Sequence, residues 1–268
     1  MKKLIDTFPN YYVNCREKNT IKRYEQYFKL WKDWAIKFDI KVLPAHPFYV
    51  ALFLLSLIQE NYTMPQIESS YYGIKFFHRT LCYNDPCNHS IVKNMYQAAK
   101  RMITHKVKKK EPITIEQLTN IHETLLKNDT LANTRTVVIC LLSFAGFLRF
   151  SEIINLRLSD LIFEECFLKV FIEKSKTDIY REGSWVLISK TSSKLCPVKN
   201  TLTYISLANI KKPNEFLFRA LSTGKRKSKL RDKNTPLSYT RVRECFKEAL
   251  KLCGINEKLY GLHSLRSG

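Results

Sequence analysis

Arg149 and Glu152 stand three residues apart inside AGFLRFSEIINLRLSDL, residues 145 to 161, and His263 and Arg266 repeat that spacing inside GLHSLRSG, residues 261 to 268. Three residues span one face of a helical turn, so each pair can act together. An arginine keeps its charge at any workable pH and presents planar, bidentate donors suited to a phosphate. Glu152 could orient that fork; the other reading is a structural ion pair at a helix boundary. Taken singly, His263 reads as an ordinary packed or surface histidine. Between the two pairs, IEKSKTD supplies Lys174 and Lys176, two residues apart and on the same side of an extended strand.

The flanking patterns predict the elements that hold these groups. Thr134 to Ala145 is strongly apolar and reads as a buried helix, which Gly146 ends by supplying backbone freedom. Ser151 is expected to cap the next short helix, with Ile153, Ile154 and Leu156 inward. FLKVFIE and SWVLIS alternate as two strands joined by KSKTDIYREG, Pro197 opens a further helix, and NEFLFRA is short and extended. Ser238 caps a long helix that Gly254 terminates. Upstream, apolar residues recur at helical spacing from about 20 to 38, a nearly all-apolar helix runs from Pro47 to Gln59, a third follows Thr63 and Pro65, and Ser90 caps a fourth that ends near His105. Four helices with short loops predict a bundle. The lysine-rich HKVKKKEPI reads as an exposed linker, after which Thr114 and Gln117 form a capping box.

In their order along the chain, Arg-x-x-Glu at 149 and 152, the hairpin lysine of KSKTD, and His-x-x-Arg at 263 and 266 resemble the catalytic domain of the tyrosine recombinase (phage integrase) family. The resemblance runs over nearly the whole chain. It implies a mainly α fold with a small β-sheet: a helical, SAM-like DNA core-binding domain at 1–105, a basic linker at 106–113, and a mixed α/β catalytic domain at 114–268. It also implies an enzyme that cleaves and rejoins DNA through a 3′-phosphotyrosyl intermediate. Charge gathers on the equatorial oxygens of the five-coordinate phosphorus, and Arg149 and Arg266 would hold it without metal. His263 would donate to the same phosphate or assist proton transfer, and Lys176, with Lys174 as rival, would protonate the departing 5′ oxygen.

Two departures qualify the resemblance. Bacterial members usually carry Gly, one apolar residue, then Arg, whereas Phe147 is an extra residue here; GFLRFSE looks more like recombinases of eukaryotic mobile elements such as DIRS-type retrotransposons and cryptons. The sequence also stops at Gly268, before the family's second His or Trp and its nucleophilic Tyr. As given, the site is expected to be incomplete and the 268 residues to bind DNA without forming a covalent adduct, since Tyr260 precedes His263. The alternative is a non-catalytic DNA-binding protein derived from a mobile-element recombinase.

With 45 Lys plus Arg against 24 Asp plus Glu, the net charge is +21, which calls for a polyanionic partner, double-stranded DNA before membrane. Candidate contacts are Lys100, Arg101, Lys106, Lys108, Lys109 and Lys110, then Lys225, Arg226 and Lys227, then Arg241 and Arg243; a solvated face explains such residues equally well. By resemblance, the full-length assembly would be a homotetramer on two duplexes. No cofactor is expected. His78, Cys82, Cys87 and His89 match no common zinc pattern, and no metal is expected there. The N-terminus lacks an apolar signal core, and the longest apolar run, 48–58, is too short to span a bilayer. Eight scattered cysteines suit a reducing compartment, the nucleus for a eukaryotic protein and otherwise the cytoplasm or nucleoid.

Overall fold

Aromatic and aliphatic residues at helical spacing make Lys18–Lys37 (α1) a helix with one buried stripe, Ile21, Trp31 and Ala35. The computed structural model describes residues 3–4, 7, 11–12, 15–103, 109–175, 178, 180, 182–223 and 228–268. These divide into two compact units, with the boundary at Val107 and Lys108.

In the first unit α1 is followed by Pro47–Gln59 (α2), Met64–Thr80 (α3) and Ser90–Met102 (α4). Trp31 is fully buried, its indole N–H donates to the Val42 carbonyl at 3.1 Å, and its ring meets Phe53 edge-on. Burying such a side chain contributes about 2 to 3 kcal/mol, and the hydrogen bond removes the cost of its one polar atom. The α4 cap lies one residue earlier than Ser90: His89 Nδ1 accepts from the Ile91 N–H at 3.3 Å, and Ser90 is the first helical residue.

His78 and Cys87 are occupied by backbone. The His78 ring bonds the Ile74 carbonyl at 2.7 Å through Nδ1 and accepts from the Ala45 N–H at 2.8 Å through Nε2, while the Cys87 thiol points to the Tyr71 carbonyl. Among the described residues no three His, Cys, Asp or Glu side chains are placed to hold a metal.

The second unit is built on Leu131–Ala145 (α6), an apolar helix buried over most of its length and packed against Ile115–Leu126 (α5) and Pro197–Leu207 (α8). Thr114 and Gln117 cap α5 reciprocally, with N···O distances of 3.1 and 3.2 Å. After the short Phe150–Ile154 (α7), strands Leu161–Phe163 (β1), Phe167–Ile172 (β2) and Ser184–Ser189 (β3) form an antiparallel sheet in the order β1-β2-β3, with Val170 opposite Val186. Leu168, Val170 and Ile172 face the core, as the period of two requires. Leu221–Thr223 (β4) and Ser228–Leu230 (β5) pair antiparallel as a second, two-stranded sheet. Tyr239–Leu252 (α9) and Ser264–Ser267 (α10) complete the unit, both packed on α6.

The fold is thus mainly helical with small sheets: a helical N-terminal unit and a mixed α/β unit. The second half of the expected linker is built into the latter. Glu111 N–H donates to the Leu259 carbonyl at 2.9 Å, Ile113 N–H donates to Ser264 at 3.0 Å, and Ile113 is buried. Among the described residues no helix is long and apolar enough to cross a membrane.

Candidate active site

The end of α6 delivers Arg149, but not through the conformation expected of Gly146. Gly146 has an ordinary φ of −96°, and the left-handed residue is Phe147, with φ 49° and an exposed ring. The Leu148 N–H reaches back to the Ser143 carbonyl at 3.1 Å and the Phe147 N–H to Phe144 at 3.4 Å, the two bonds of a Schellman end. Glycine is needed at 146 for proximity: a Cβ there would stand 3.0 Å from both Ile188 Cδ1 and Leu148 Cγ.

The next residue, Arg149, is itself the N-cap of α7, correcting the expectation that Ser151 caps it; Ser151 is the second helical residue and exposed. Glu152 takes the role of a capping acid, its Oε2 accepting from the Arg149 N–H at 2.7 Å and its Oε1 from Arg149 Nη1 at 2.7 Å. Burial opposes ionisation of Glu152. The Arg149 backbone and guanidinium and the Ser175 hydroxyl outweigh it and hold the carboxyl below the usual glutamate range.

Ser175, from the segment leaving β2, accepts from Arg149 Nη1 and donates to Glu152 Oε1, each at 2.9 Å. Sequence reasoning missed it. It lies between Lys174 and Lys176 in KSKTD, and a hydroxyl there gives no periodic or charge signal. Lys174 is exposed; Lys176 lies outside the described residues. Asp178 closes the hairpin base, its carboxylate accepting from the Glu182 and Gly183 N–H groups at 3.1 and 2.8 Å.

Among the described residues, Arg149 Nε and Nη2 have no protein acceptor, because all the side-chain bonds run through Nη1. Arg266 shows a parallel feature: its Nη1 is buried and has no hydrogen-bond partner among the described residues. His263 is exposed at the N-cap of α10, and Arg266 lies one turn on. The α10 segment rests on α6, and Gly268 is close to Phe144, five residues before Arg149. Tyr260 is buried away from this chemistry, its hydroxyl donating to Glu111 Oε2 at 3.2 Å and accepting from Gln117 Nε2 at 2.7 Å.

The basic residues are scattered. Lys100 and Arg101 are exposed in the last turn of α4, in the first unit, with the Lys100 ammonium over the Tyr96 ring at 4.5 Å. In the second unit Lys109 is exposed, and Lys110 donates to the Lys258 carbonyl. Arg241 and Arg243 are exposed on the first turns of α9, Arg241 3.4 Å from Glu244. Lys106, Lys108, Lys225, Arg226 and Lys227 lie outside the described residues. A ring contact of 5.1 Å between Tyr239 and Phe150 ties the start of α9 to the residue after Arg149.

The profile of the phage integrase family matches residues 109–268, which is more than half of the chain and the whole described second unit. The chain belongs to that family. A curated relative, the integrase/recombinase xerD homolog of Selenomonas ruminantium, is 26% identical over 257 residues, covering 93% of this chain and 72% of its own length. Among solved structures, a lambda integrase dimer bound to a COC′ core site matches with a TM-score of 0.57 at 16% identity, covering 100% of this chain and 68% of that one. The XerH site-specific recombinase in a post-cleavage complex with palindromic difH substrate matches at 0.53 and 17%, covering 91% and 64%. At such identities the structural likeness speaks for the fold. In this phage integrase family member, Arg149 and Glu152 form an ion pair at 2.7 Å and Arg266 stands in the turn that follows His263.

Proposed function

We propose that this protein breaks and rejoins double-stranded DNA by transesterification, with residues 109–268 as the catalytic domain and the N-terminal helical unit, with the basic stretch after it, as a DNA clasp. The observation that carries this reading is the pair of arginines with donors unpaired among the described residues: Arg149, fixed through Nη1 with Nε and Nη2 open, and Arg266, with a buried Nη1 that has no acceptor there. A buried donor left unpaired is costly, and a phosphate oxygen satisfies it. A tyrosine hydroxyl attacks phosphorus, the 3′-phosphotyrosyl bond forms, and the bond to the 5′ oxygen breaks. Arg149 and Arg266 neutralise the equatorial oxygens, His263 donates to the same phosphate or assists proton transfer, and Lys176 delivers a proton to the departing oxygen. Rejoining runs the same steps in reverse.

The nucleophile is a tyrosine other than Tyr260, whose hydroxyl is held by Glu111 and Gln117 and cannot also take the in-line position about 3 to 3.5 Å from phosphorus. In family order it follows Arg266, and residues 1–268 contain no tyrosine after Tyr260. The xerD homolog and the XerH site-specific recombinase support a site-specific outcome, and the match to a lambda integrase tetramer bound to a Holliday junction supports assembly as a tetramer on two duplexes. The extra Phe147 favours a mobile-element origin of the DIRS or crypton type, and with it a nuclear site of action.

Nicked suicide DNA and a denaturing gel test the reading. A protein extended through a tyrosine after Arg266 is expected to form a covalent adduct that Arg149→Ala and Arg266→Ala abolish while DNA affinity stays within a few-fold. Residues 1–268 are expected to form none. An adduct from residues 1–268 that disappears in Tyr260→Phe overturns the assignment of the nucleophile, and adduct formation undiminished in Arg149→Ala overturns the mechanism.

A further inference from the structure

The Ser175 hydroxyl stands between the two groups on which the site is built. It accepts from Arg149 Nη1 and donates to Glu152 Oε1, both at 2.9 Å, while Glu152 Oε1 takes the same Nη1 at 2.7 Å, so three polar atoms close a triangle. An ion pair through one nitrogen leaves a guanidinium free to swing about that contact. A second acceptor, presented by a different element, fixes its plane. Glu152 comes from α7 and Ser175 from the segment after β2, so the sheet and the helix together set where the Nε and Nη2 edge of Arg149 lies.

Resting on the strand-transfer reading above, we propose that Ser175 is a positioning residue: its hydroxyl locks the Arg149 guanidinium in the plane that receives the scissile phosphate. The side chain touches neither phosphate nor nucleophile; it acts through Arg149. Because Ser175 lies at the base of the β2–β3 hairpin, displacement of that base is transmitted to the arginine. Glu152 keeps its backbone contact to the Arg149 N–H at 2.7 Å without Ser175, so loss of the hydroxyl loosens the fork and leaves α7 capped.

Single-turnover cleavage of suicide DNA by the protein carrying its nucleophile tests this. Ser175→Ala is expected to slow cleavage by about 10- to 100-fold, the usual penalty for misplacing a catalytic group by a fraction of an ångström to an ångström, with DNA affinity and the thermal midpoint nearly unchanged. Ser175→Thr, which restores a hydroxyl, is expected to recover most of the rate. In an Arg149→Lys background, Ser175→Ala is expected to add less than about 2-fold, since a residue that acts through Arg149 has nothing left to position. A normal rate for Ser175→Ala, or an equal fractional loss in both backgrounds, overturns the inference. Undiminished cleavage by Arg149→Ala in the same assay removes the functional reading as well, whereas an inactive Arg149→Ala beside a normal Ser175→Ala removes only the role of Ser175.

Discussion

Phe147 carries the left-handed backbone that glycine usually supplies at a helix end, with its ring in solvent. An L side chain in that region costs on the order of 1 kcal/mol. Phe147→Gly is therefore expected to raise stability by about 0.5 to 1 kcal/mol, measured by urea denaturation; an unchanged or lower midpoint would mean that the ring makes a contact of value. The residue that is extra relative to the bacterial pattern is thus also the strained one, and it immediately precedes the buried Leu148 that introduces Arg149. The sequence made the extra residue visible. It did not show which of Gly146 and Phe147 would turn left-handed, because residue type favours glycine, whereas the glycine at 146 answers the close approach of Ile188 and Leu148, which leaves little room for a Cβ.

Elements were legible in proportion to their length. The helices α1, α5 and α9 and strands β2 and β3 announce themselves by period and α2 by its nearly continuous apolar run, but β1, β4 and β5, at three residues each, are too short to show either. Caps slipped by one or two positions at α4 and α7 because an imidazole in one case, and a glutamate reaching back in the other, did the work assigned to serine. At the site, the Arg149–Glu152 pair could be read from spacing alone, while Ser175 depended on strand placement. The hairpin lysines call for a chemical test: Lys176→Ala is expected to block cleavage of an ordinary phosphodiester but not of one with a 5′-bridging sulfur, since a thiolate leaves without a proton. Rescue of Lys174→Ala alone would transfer the role to Lys174.

A second test belongs to α3, which holds His78 between Ile74 and Ala45. Burial pushes this imidazole below its ordinary value, with the Ile74 carbonyl opposing. The unfolded chain takes up a proton below pH about 6.5 that the folded ring resists, so stability is full above that pH and falls as pH drops toward the depressed value, by up to about 1.4 kcal/mol per unit. Denaturation at pH 7.5 and 5.5, read by tryptophan fluorescence, is expected to show this loss, and His78→Gln to flatten it.

For the whole molecule, the +21 charge sets the behaviour toward DNA. A clasp that neutralises about 6 to 10 phosphates loses roughly 10³- to 10⁵-fold in affinity between 50 and 200 mM salt. Titrations at those two concentrations are expected to show that fall; an affinity indifferent to salt would remove the clasp. The seam between residues 111–113 and 259–264 has a further consequence, in time. The Tyr260 to Glu111 hydrogen bond joins residues 149 apart, and the N–H groups of Glu111 and Ile113 find their carbonyls at Leu259 and Ser264. Contacts of such separation are slow to form. On the ribosome residues 109–113 must wait until residue 264 has emerged, whereas the helical unit in front can fold as an independent body. Competence to hold a phosphate then comes only once the segment that brings His263 and Arg266 has been made, because the same segment closes this seam.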